Sequence, residues 1–249
     1  MLKYIIVSIL GVILGQASRH LIRRLPEIIE EENAVKLLIP TLKKDFKVDV
    51  VCSLINIVIF NLLVYFLGLN FQSVMYMLVI SCLQVVFAID YSMQLIPDTV
   101  QVLLGALGIV NVGVSFVTNG IVNGLDYILG GVIGGGIFYL LGLLGKLIFK
   151  KESMGFGDVK LMVGIGLMFG IKATLTITLV SFFISAVISI LLIACRVKKM
   201  DSYIPFGPFI VIACVAVMFT GYNIYIEWFI SLCTALSTYL TDLIFKITN

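Results

Sequence analysis

Residues 154–171 read MGFGDVKLMVGIGLMFGI, an apolar run that opens with Gly-Phe-Gly-Asp. The run has the composition of a membrane-spanning helix, yet the carboxylate of Asp158 stands at its edge. A carboxylate beside hydrocarbon costs free energy, so its presence indicates a function. The two glycines, Gly155 and Gly157, allow the backbone to bend tightly and let another element approach the acid closely. The stretch therefore predicts a functional acid where a membrane span begins.

The whole chain has the composition of an integral membrane protein. Of its 249 residues, 61% are hydrophobic and 12% are charged, whereas soluble domains average about half and about a quarter. A spanning helix needs about 20 mostly apolar residues. We expect an all-α polytopic bundle of eight transmembrane helices, or nine if residues 226–245 also span, since Glu227 and Asp242 dilute that last run. The eight expected spans are residues 2–15, 49–68, 70–89, 98–117, 127–149, 159–171, 173–195 and 206–223.

The N-terminal region differs from the rest of the chain. Residues 2–15 have the pattern of a signal peptide or of a first spanning helix. One lysine precedes this run and a dense basic loop follows it, which favours an uncleaved helix with its N-terminus outside. We expect residues 1–48 to comprise this helix and a short amphipathic cytoplasmic region. Residues 49–249 are expected to form the transmembrane domain that holds the chemistry.

The positive charges predict which ends of the spans face the cytoplasm. Lys and Arg concentrate in residues 19–47, in residues 146–160 and in residues 196–199, and such regions are usually cytoplasmic. Counting spans from an outward N-terminus independently places Asp90 and Asp158 on this same side. We therefore expect a multi-pass protein of the cytoplasmic membrane with both acids at the inner face.

Neither the cysteines nor the single histidine suggest a metal site. No Cys-x-x-Cys pair occurs, which argues against both a disulfide framework and a zinc tetrad. We expect all the thiols to be buried and unreactive. His20 lies among arginines and is expected to face solvent or lipid headgroups rather than to bind a metal. The five cysteines are Cys52, Cys82, Cys195, Cys214 and Cys233.

The expected span 127–149 is dense in glycine. Gly130 and Gly134 are one helical turn apart, and so are Gly131 and Gly135. Small residues at this spacing lie on one helical face and let another helix approach closely. The pattern predicts a tight helix–helix contact here.

Two further acids flank a proline. Pro97 disfavours helix at Ile96, so we expect a break between two spans there. Asp98 then lies near the start of the next helix, where a carboxylate suits N-capping and the helix dipole. Asp90 lies at the inner end of a span and has no capping role. Asp90 is therefore the better candidate partner for Asp158.

A pair of carboxylates suggests acid–base hydrolysis. Two facing carboxylates in a poorly hydrated site cannot both ionise, so they share a proton. One then acts as general base on a water while the other polarises a carbonyl, and no metal or other nucleophile is needed. The sequence holds neither His-Glu-x-x-His nor Gly-x-Ser-x-Gly. The alternative is a proton- or cation-coupled transporter using Asp90 and Asp158, which would place acids near the midplane on broken helices.

Four segments, in order along the chain, resemble one family. KESMGFGDVKLM at residues 151–162 is similar to the signature of the type IV prepilin peptidases, which are Gly-x-Gly-Asp membrane aspartyl proteases. The segment 89–98, with its Ile-Pro-Asp end, resembles their first motif, and IPFGPF at 204–209 resembles their C-terminal Pro-Phe-Gly-Pro segment. Residues 14–26 resemble the end of their first helix more loosely.

The resemblance implies cleavage of prepilin or pseudopilin leader peptides at the cytoplasmic face of a bacterial inner membrane. The cut would follow a glycine, the leader would be basic, and no nucleic acid would be involved. Asp90 and Asp158 would be the catalytic pair. Lys160 is expected to anchor at the interface rather than to join the pair. The supporting motif positions would be Gly155, Phe156, Gly157, Lys160, Pro97, Asp98, Pro205, Gly207 and Pro208.

The chain departs from the family in one loop. Many members carry two Cys-x-x-Cys pairs in a long loop and also methylate the new N-terminus from S-adenosylmethionine. Here that loop corresponds to residues 16–48 and contains no cysteine. We expect no zinc, and the sequence assigns no residues to S-adenosylmethionine. A methyltransferase activity that does not need zinc remains an alternative.

Overall fold

The computed structural model describes residues 1–33, 46–149, 154–196 and 204–248. In these ranges the chain folds into helices and contains no strand, so the all-α prediction is confirmed. The helices are α1 (Leu2–Asn33), α2 (Phe46–Leu67), α3 (Phe71–Met93), α4 (Asp98–Asn119), α5 (Ile121–Phe149), α6 (Phe156–Ala194), α7 (Gly207–Thr220) and α8 (Tyr222–Thr248).

The protein is a polytopic membrane protein. Among the described residues, six helices are long and apolar enough to cross a membrane. The number becomes seven if Gly207–Thr220 and Tyr222–Tyr239 form one span, bent by 107°. The expected eight spans differ for two reasons. The runs 159–171 and 173–195 correspond to the two arms of α6, which are joined at Gly170 and count here as one helix. The run 206–223 is cut at Gly221, whose φ of 72° ends α7.

Helix α6 is 39 residues long and is broken at Gly170, where φ is 76° and ψ is 179°. Met162 and Thr174 lie on either side of this break, and a straight helix would hold them about 18 Å apart. Yet a Cβ atom placed on Gly134 of α5 would lie 2.9 Å from the Met162 carbonyl and 2.8 Å from Thr174 Cγ2. The two arms of α6 therefore lie side by side against α5. The break is close to the connector expected around Lys172.

The glycine face of α5 makes the predicted close contact, and its partner is α6. A Cβ on Gly130 would lie 2.6 Å from the Gly166 carbonyl, and one on Gly131 would lie 2.9 Å from Leu167 Cγ. Atoms do not approach this closely without displacement, so these glycines set the separation of the two helices. This contact fixes the first arm of α6, which begins beside Asp158.

The predicted end of the first span was wrong. Helix α1 continues to Asn33, and its apolar part extends to Leu25 rather than ending near residue 15. Ser18 lies in the continued part of the helix, where it is buried and its hydroxyl donates to the Ser81 carbonyl of α3 at 3.1 Å. The rest of the expected amphipathic region includes residues 34–45, which lie outside the described ranges.

The cysteine prediction is correct for three of the five positions. Cys52, Cys82 and Cys214 are buried, whereas Cys195 and Cys233 are exposed on the protein surface. Both exposed thiols lie in or directly after apolar helices, so composition alone could not distinguish a protein-facing from an outward-facing position. His20 is exposed, as expected.

Candidate active site

Asp90 lies in the last turn of α3 and is 4% exposed. The helix ends just beyond it at Gln94, which adopts φ 56° and donates its backbone N–H to the Asp90 carbonyl at 2.9 Å. The Asp90 side chain has a separate partner, because the backbone N–H of Gly207 donates to Oδ2 at 2.9 Å. Since Gly207 is the first residue of α7, the carboxyl group faces the positive end of a helix dipole.

Gly207 can approach Asp90 because it has no side chain. A Cβ atom at this position would lie 2.5 Å from Asp90 Oδ2 and 3.1 Å from its Cγ. The prolines on either side, Pro205 and Pro208, are both buried. Pro208 occupies the first turn of α7, where proline is compatible with a helix. The Pro-Phe-Gly-Pro segment is therefore the support of one acid.

An aromatic cluster holds this segment in place. The ring of Phe206 packs against Phe138 of α5 at 5.8 Å and against Phe182 of α6 at 5.0 Å between centroids. Phe209 packs on Phe206 at 6.2 Å. Such ring contacts contribute about 0.5–1.5 kcal/mol each beyond buried area. They tie the start of α7 to the two helices that carry the glycine contact.

Asp158 lies in the first turn of α6 and is also 4% exposed. Gly155 is the N-cap residue of this helix, and the Asp158 side chain turns back toward the Gly155 backbone, since a Cβ placed on Gly155 would lie 3.5 Å from Asp158 Oδ2. An acid at this helical position commonly bonds back to the N-cap amide. Asp158 is thus held by its own helix terminus, whereas Asp90 is held by a different helix.

The predicted tight bend at the two glycines was wrong. Gly155 has φ −70° and Gly157 is helical, so neither needs a conformation reserved for glycine. The predicted close approach is present at Gly157, where a Cβ would lie 3.2 Å from Ile96 Cβ and 3.3 Å from Gln101 Nε2. Gly157 therefore serves packing against the α3–α4 break.

The fold brings Asp90 and Asp158 together. The two carboxyl groups interact electrostatically, although they come from helices separated by the whole of α4 and α5. Both are removed from solvent, and each has one backbone contact that fixes its direction. Chemically, this is a pair that can exchange one proton with a water and a carbonyl placed between them. In the described part of the chain, no group of three His, Cys, Asp or Glu side chains could hold a metal ion.

Asp98 stays outside this pair. Its predicted position at the start of the next helix is correct, whereas its predicted role as an N-cap was wrong. The N-cap of α4 is Pro97, no side chain caps the helix, and Asp98 is its first residue. The Asp98 side chain is 73% exposed and pairs with Lys160 Nζ at 2.6 Å. Lys160 also lies 5.3 Å from the ring centre of Phe156, which is exposed. The ion pair links the starts of α4 and α6 at the surface.

Sequence reasoning missed Gln101. This side chain is 5% exposed in the first turn of α4, and its Nε2 donates to the carbonyls of Ile96 at 3.3 Å and Gly157 at 3.2 Å. The available signal was a polar amide inside an otherwise apolar span, directly after the Pro-Asp motif.

The middle of the chain is similar to a known protein family. Residues 77–190 match the model of the type IV leader peptidase family, a range that contains Asp90 and Asp158. No solved structure matches the chain significantly. The family region therefore includes both acids of the buried pair but not Gly207.

Curated relatives extend this similarity. The chain is 30% identical over 164 residues to a prepilin leader peptidase/N-methyltransferase of Legionella pneumophila, covering 66% of this chain and 55% of that protein. Proteins of the same name from Aeromonas salmonicida and Xanthomonas campestris are 36% and 37% identical over 86 and 76 residues. Those segments cover 34% and 30% of this chain. The matched segments span between 26% and 55% of the lengths of these relatives.

Proposed function

We propose that this chain, whose residues 77–190 carry the type IV leader peptidase region, is a membrane-embedded aspartic endopeptidase that removes leader peptides from type IV prepilins or pseudopilins. The observation that carries the proposal is the buried pair of Asp90 and Asp158, with the Gly207 N–H on one carboxylate. The family match and the names of the relatives supply the substrate class.

The reaction follows from the pair. One carboxylate accepts a proton from a water, which attacks the scissile carbonyl carbon, while the other carboxyl group donates its proton to the carbonyl oxygen. Collapse of the tetrahedral intermediate breaks the C–N bond, and the nitrogen leaves as an amine after it gains a proton from the pair. Burial keeps bulk water away from the two acids and strengthens their mutual interaction. We propose that cleavage needs neither a metal nor a cofactor, because the two carboxyl groups supply both the acid and the base.

We further propose that cleavage takes place at the cytoplasmic face of a bacterial inner membrane, with the N-terminus outside. Two features support this orientation: the acids lie at ends of apolar helices, and Lys and Arg concentrate in residues 146–160, around Asp158. A leader with basic residues on the cytoplasmic side would then meet the pair where the substrate helix leaves the bilayer. The cut would follow the glycine that precedes the apolar segment.

The transporter alternative is less well supported by the geometry. The broken helix that a transporter would use is α6, but its break lies at Gly170, next to Asp126 of α5. Asp158 lies at the other end of that arm, which places it about 18 Å from Gly170 along a straight helix. Asp158 therefore does not line the break.

The test uses the purified chain in lipid vesicles and a synthetic prepilin peptide with a basic leader, a glycine and an apolar segment. We expect cleavage after the glycine, with Asp90→Asn and Asp158→Asn each lowering the rate by about 10³-fold or more. Asp98→Asn, the matched acid outside the pair, should retain cleavage. Cleavage that depends on Asp98 but not on Asp90 would overturn the assignment.

The same assay separates the other candidate reactions. Adding S-adenosylmethionine and weighing the product distinguishes an uncut peptide, a cut peptide, and a cut peptide with one added methyl group. Proton uptake into the vesicles that requires either acid, without any cleavage, would instead support a transporter.

A further inference from the structure

Gln101 is a buried amide that connects the two halves of the site. Its two Nε2 hydrogens bond to two carbonyl groups, one before the α4 helix at Ile96 and one in the first turn of α6 at Gly157. Gly157 directly precedes Asp158, and Ile96 lies in the break that follows Asp90 and α3. A single side chain thus spans the backbone segments that carry the two acids.

We infer that Gln101 is a positioning residue: it fixes the backbone in front of Asp158 against the α3–α4 break and thereby sets the separation of the two carboxyl groups. This inference rests on the proposed peptidase function. Gln101 acts through Gly157 and does not contact the reacting atoms.

The orientation of the amide is determined by its neighbours. Both acceptors are carbonyl oxygens, and only the NH₂ end of the side chain can donate to them. A flipped amide would direct its oxygen at the two carbonyl oxygens, which is repulsive. Gly157 permits the contact, because a Cβ there would lie 3.3 Å from Nε2. The amide nitrogen therefore has one position, fixed by two bonds.

The oxygen of the Gln101 amide indicates that the two bonds made by its nitrogen are the reason for an amide at this position. Gln101 Oε1 is buried and has no hydrogen-bond partner in the described part of the protein. A buried acceptor without a partner is destabilising, so an apolar side chain of the same length would suit a purely space-filling role better. The two donated bonds give the amide a role that an apolar side chain could not perform.

A matched control lies on the same two helices. Asn111 of α4 is 3% exposed, and its Nδ2 donates to the Met168 carbonyl of α6 at 3.2 Å. It is therefore also a buried amide that ties α4 to the first arm of α6. It lies near the Gly170 break, at the end of the arm away from Asp158. Loss of this bond should affect helix packing without moving the acids.

The experiment compares Gln101→Met with Asn111→Leu in the vesicle assay. Both variants remove a buried amide and keep the approximate volume, so both should lose a similar amount of thermal stability. We expect Gln101→Met to lower kcat by about tenfold to a hundredfold with KM nearly unchanged, because a misplacement of about 1 Å near the reacting groups has this effect. Asn111→Leu should keep the wild-type kcat. Equal kcat values for the two variants would overturn the inference.

A second measurement does not depend on activity. Amide hydrogen exchange in the peptide covering residues 154–162 should become faster in Gln101→Met and stay unchanged in Asn111→Leu, because Gln101 bonds to that turn and Asn111 does not. Unchanged exchange in Gln101→Met would overturn the positioning role. If the wild-type chain fails to cleave prepilin peptides while exchange changes as expected, the proposed function fails and the structural connection stands.

Discussion

Replacing Gly207 with alanine tests how closely the start of α7 must approach Asp90. The added Cβ would lie 2.5 Å from Asp90 Oδ2, whereas ordinary contacts begin at 3.4 Å. Relief therefore requires about 0.9 Å of movement. The Asp90 Cγ would also lie only 3.1 Å from the new Cβ, so the whole carboxyl group would have to move. Such a movement would break its hydrogen bond with the Gly207 N–H. The variant keeps the backbone N–H at position 207 and changes only its distance from the Asp90 carboxyl group.

The size of the effect follows from this displacement. A shift of about 1 Å at a reacting group can cost about a hundredfold in rate, or about 2.7 kcal/mol in the barrier. We expect Gly207→Ala to lower kcat for prepilin peptide cleavage by roughly this factor. We expect KM to change less, because the substitution displaces one of the proposed reacting carboxyl groups.

The matched control is Gly136→Ala in α5. A Cβ at Gly136 meets no atom within 4 Å, and alanine favours a helix over glycine by about 0.8–1.0 kcal/mol. This variant should keep the wild-type kcat and be at least as stable. If Gly207→Ala folds, as shown by its melting temperature, and cleaves as fast as Gly136→Ala, the close contact with Asp90 does not set the site geometry.

Three other substitutions give graded outcomes. Asp98→Asn removes an exposed ion pair, so it should lower the free energy of unfolding by less than about 1 kcal/mol and leave kcat unchanged; a large loss of kcat with intact folding would contradict this. In Gly166→Ala, the added Cβ would clash with the Gly130 carbonyl. We therefore expect a lower melting temperature than that of the wild-type protein. Equal melting temperatures for Gly166→Ala and Gly136→Ala would refute the close packing of α5 and α6. In Gly157→Ala, the added Cβ would lie 3.2–3.3 Å from its nearest neighbours, so the neighbours need to move by only a few tenths of an ångström. Its kcat should therefore fall less than that of Gly207→Ala. The reverse order would show that the α3–α4 break is the tighter constraint.

The two acids chosen from the sequence, Asp90 and Asp158, are both buried, and their catalytic role stays a prediction. Asp98 follows a proline and begins a helix, which gives a carboxylate a local role, whereas Asp90 ends a span and has none. The structure brings Asp90 and Asp158 together and leaves Asp98 exposed, although its local role is an ion pair rather than a cap. Position along a span was informative for Asp90 but not for Asp158, which lies in the first turn of a helix as Asp98 does and is nevertheless buried.

The contacts between distant segments could not be predicted in the same way. The role of Gly207 depends on where α7 begins relative to α3, and no local pattern encodes that distance. The break of α6 at Gly170 was expected only roughly, because a glycine in an apolar run can equally serve packing. Gln101 was overlooked because its two acceptors are backbone carbonyls, which every residue possesses.

The position of Gly207 late in the chain has a consequence for biogenesis. Helices are inserted in order during synthesis, so α3 and α6 enter the membrane before α7 exists. Until then Asp90 lacks the amide that orients it, and the aromatic cluster that docks α7 is incomplete. An unfinished chain thus holds both acids without an assembled centre. The order of synthesis therefore makes α7, which begins at Gly207, the last element that the arrangement around Asp90 requires.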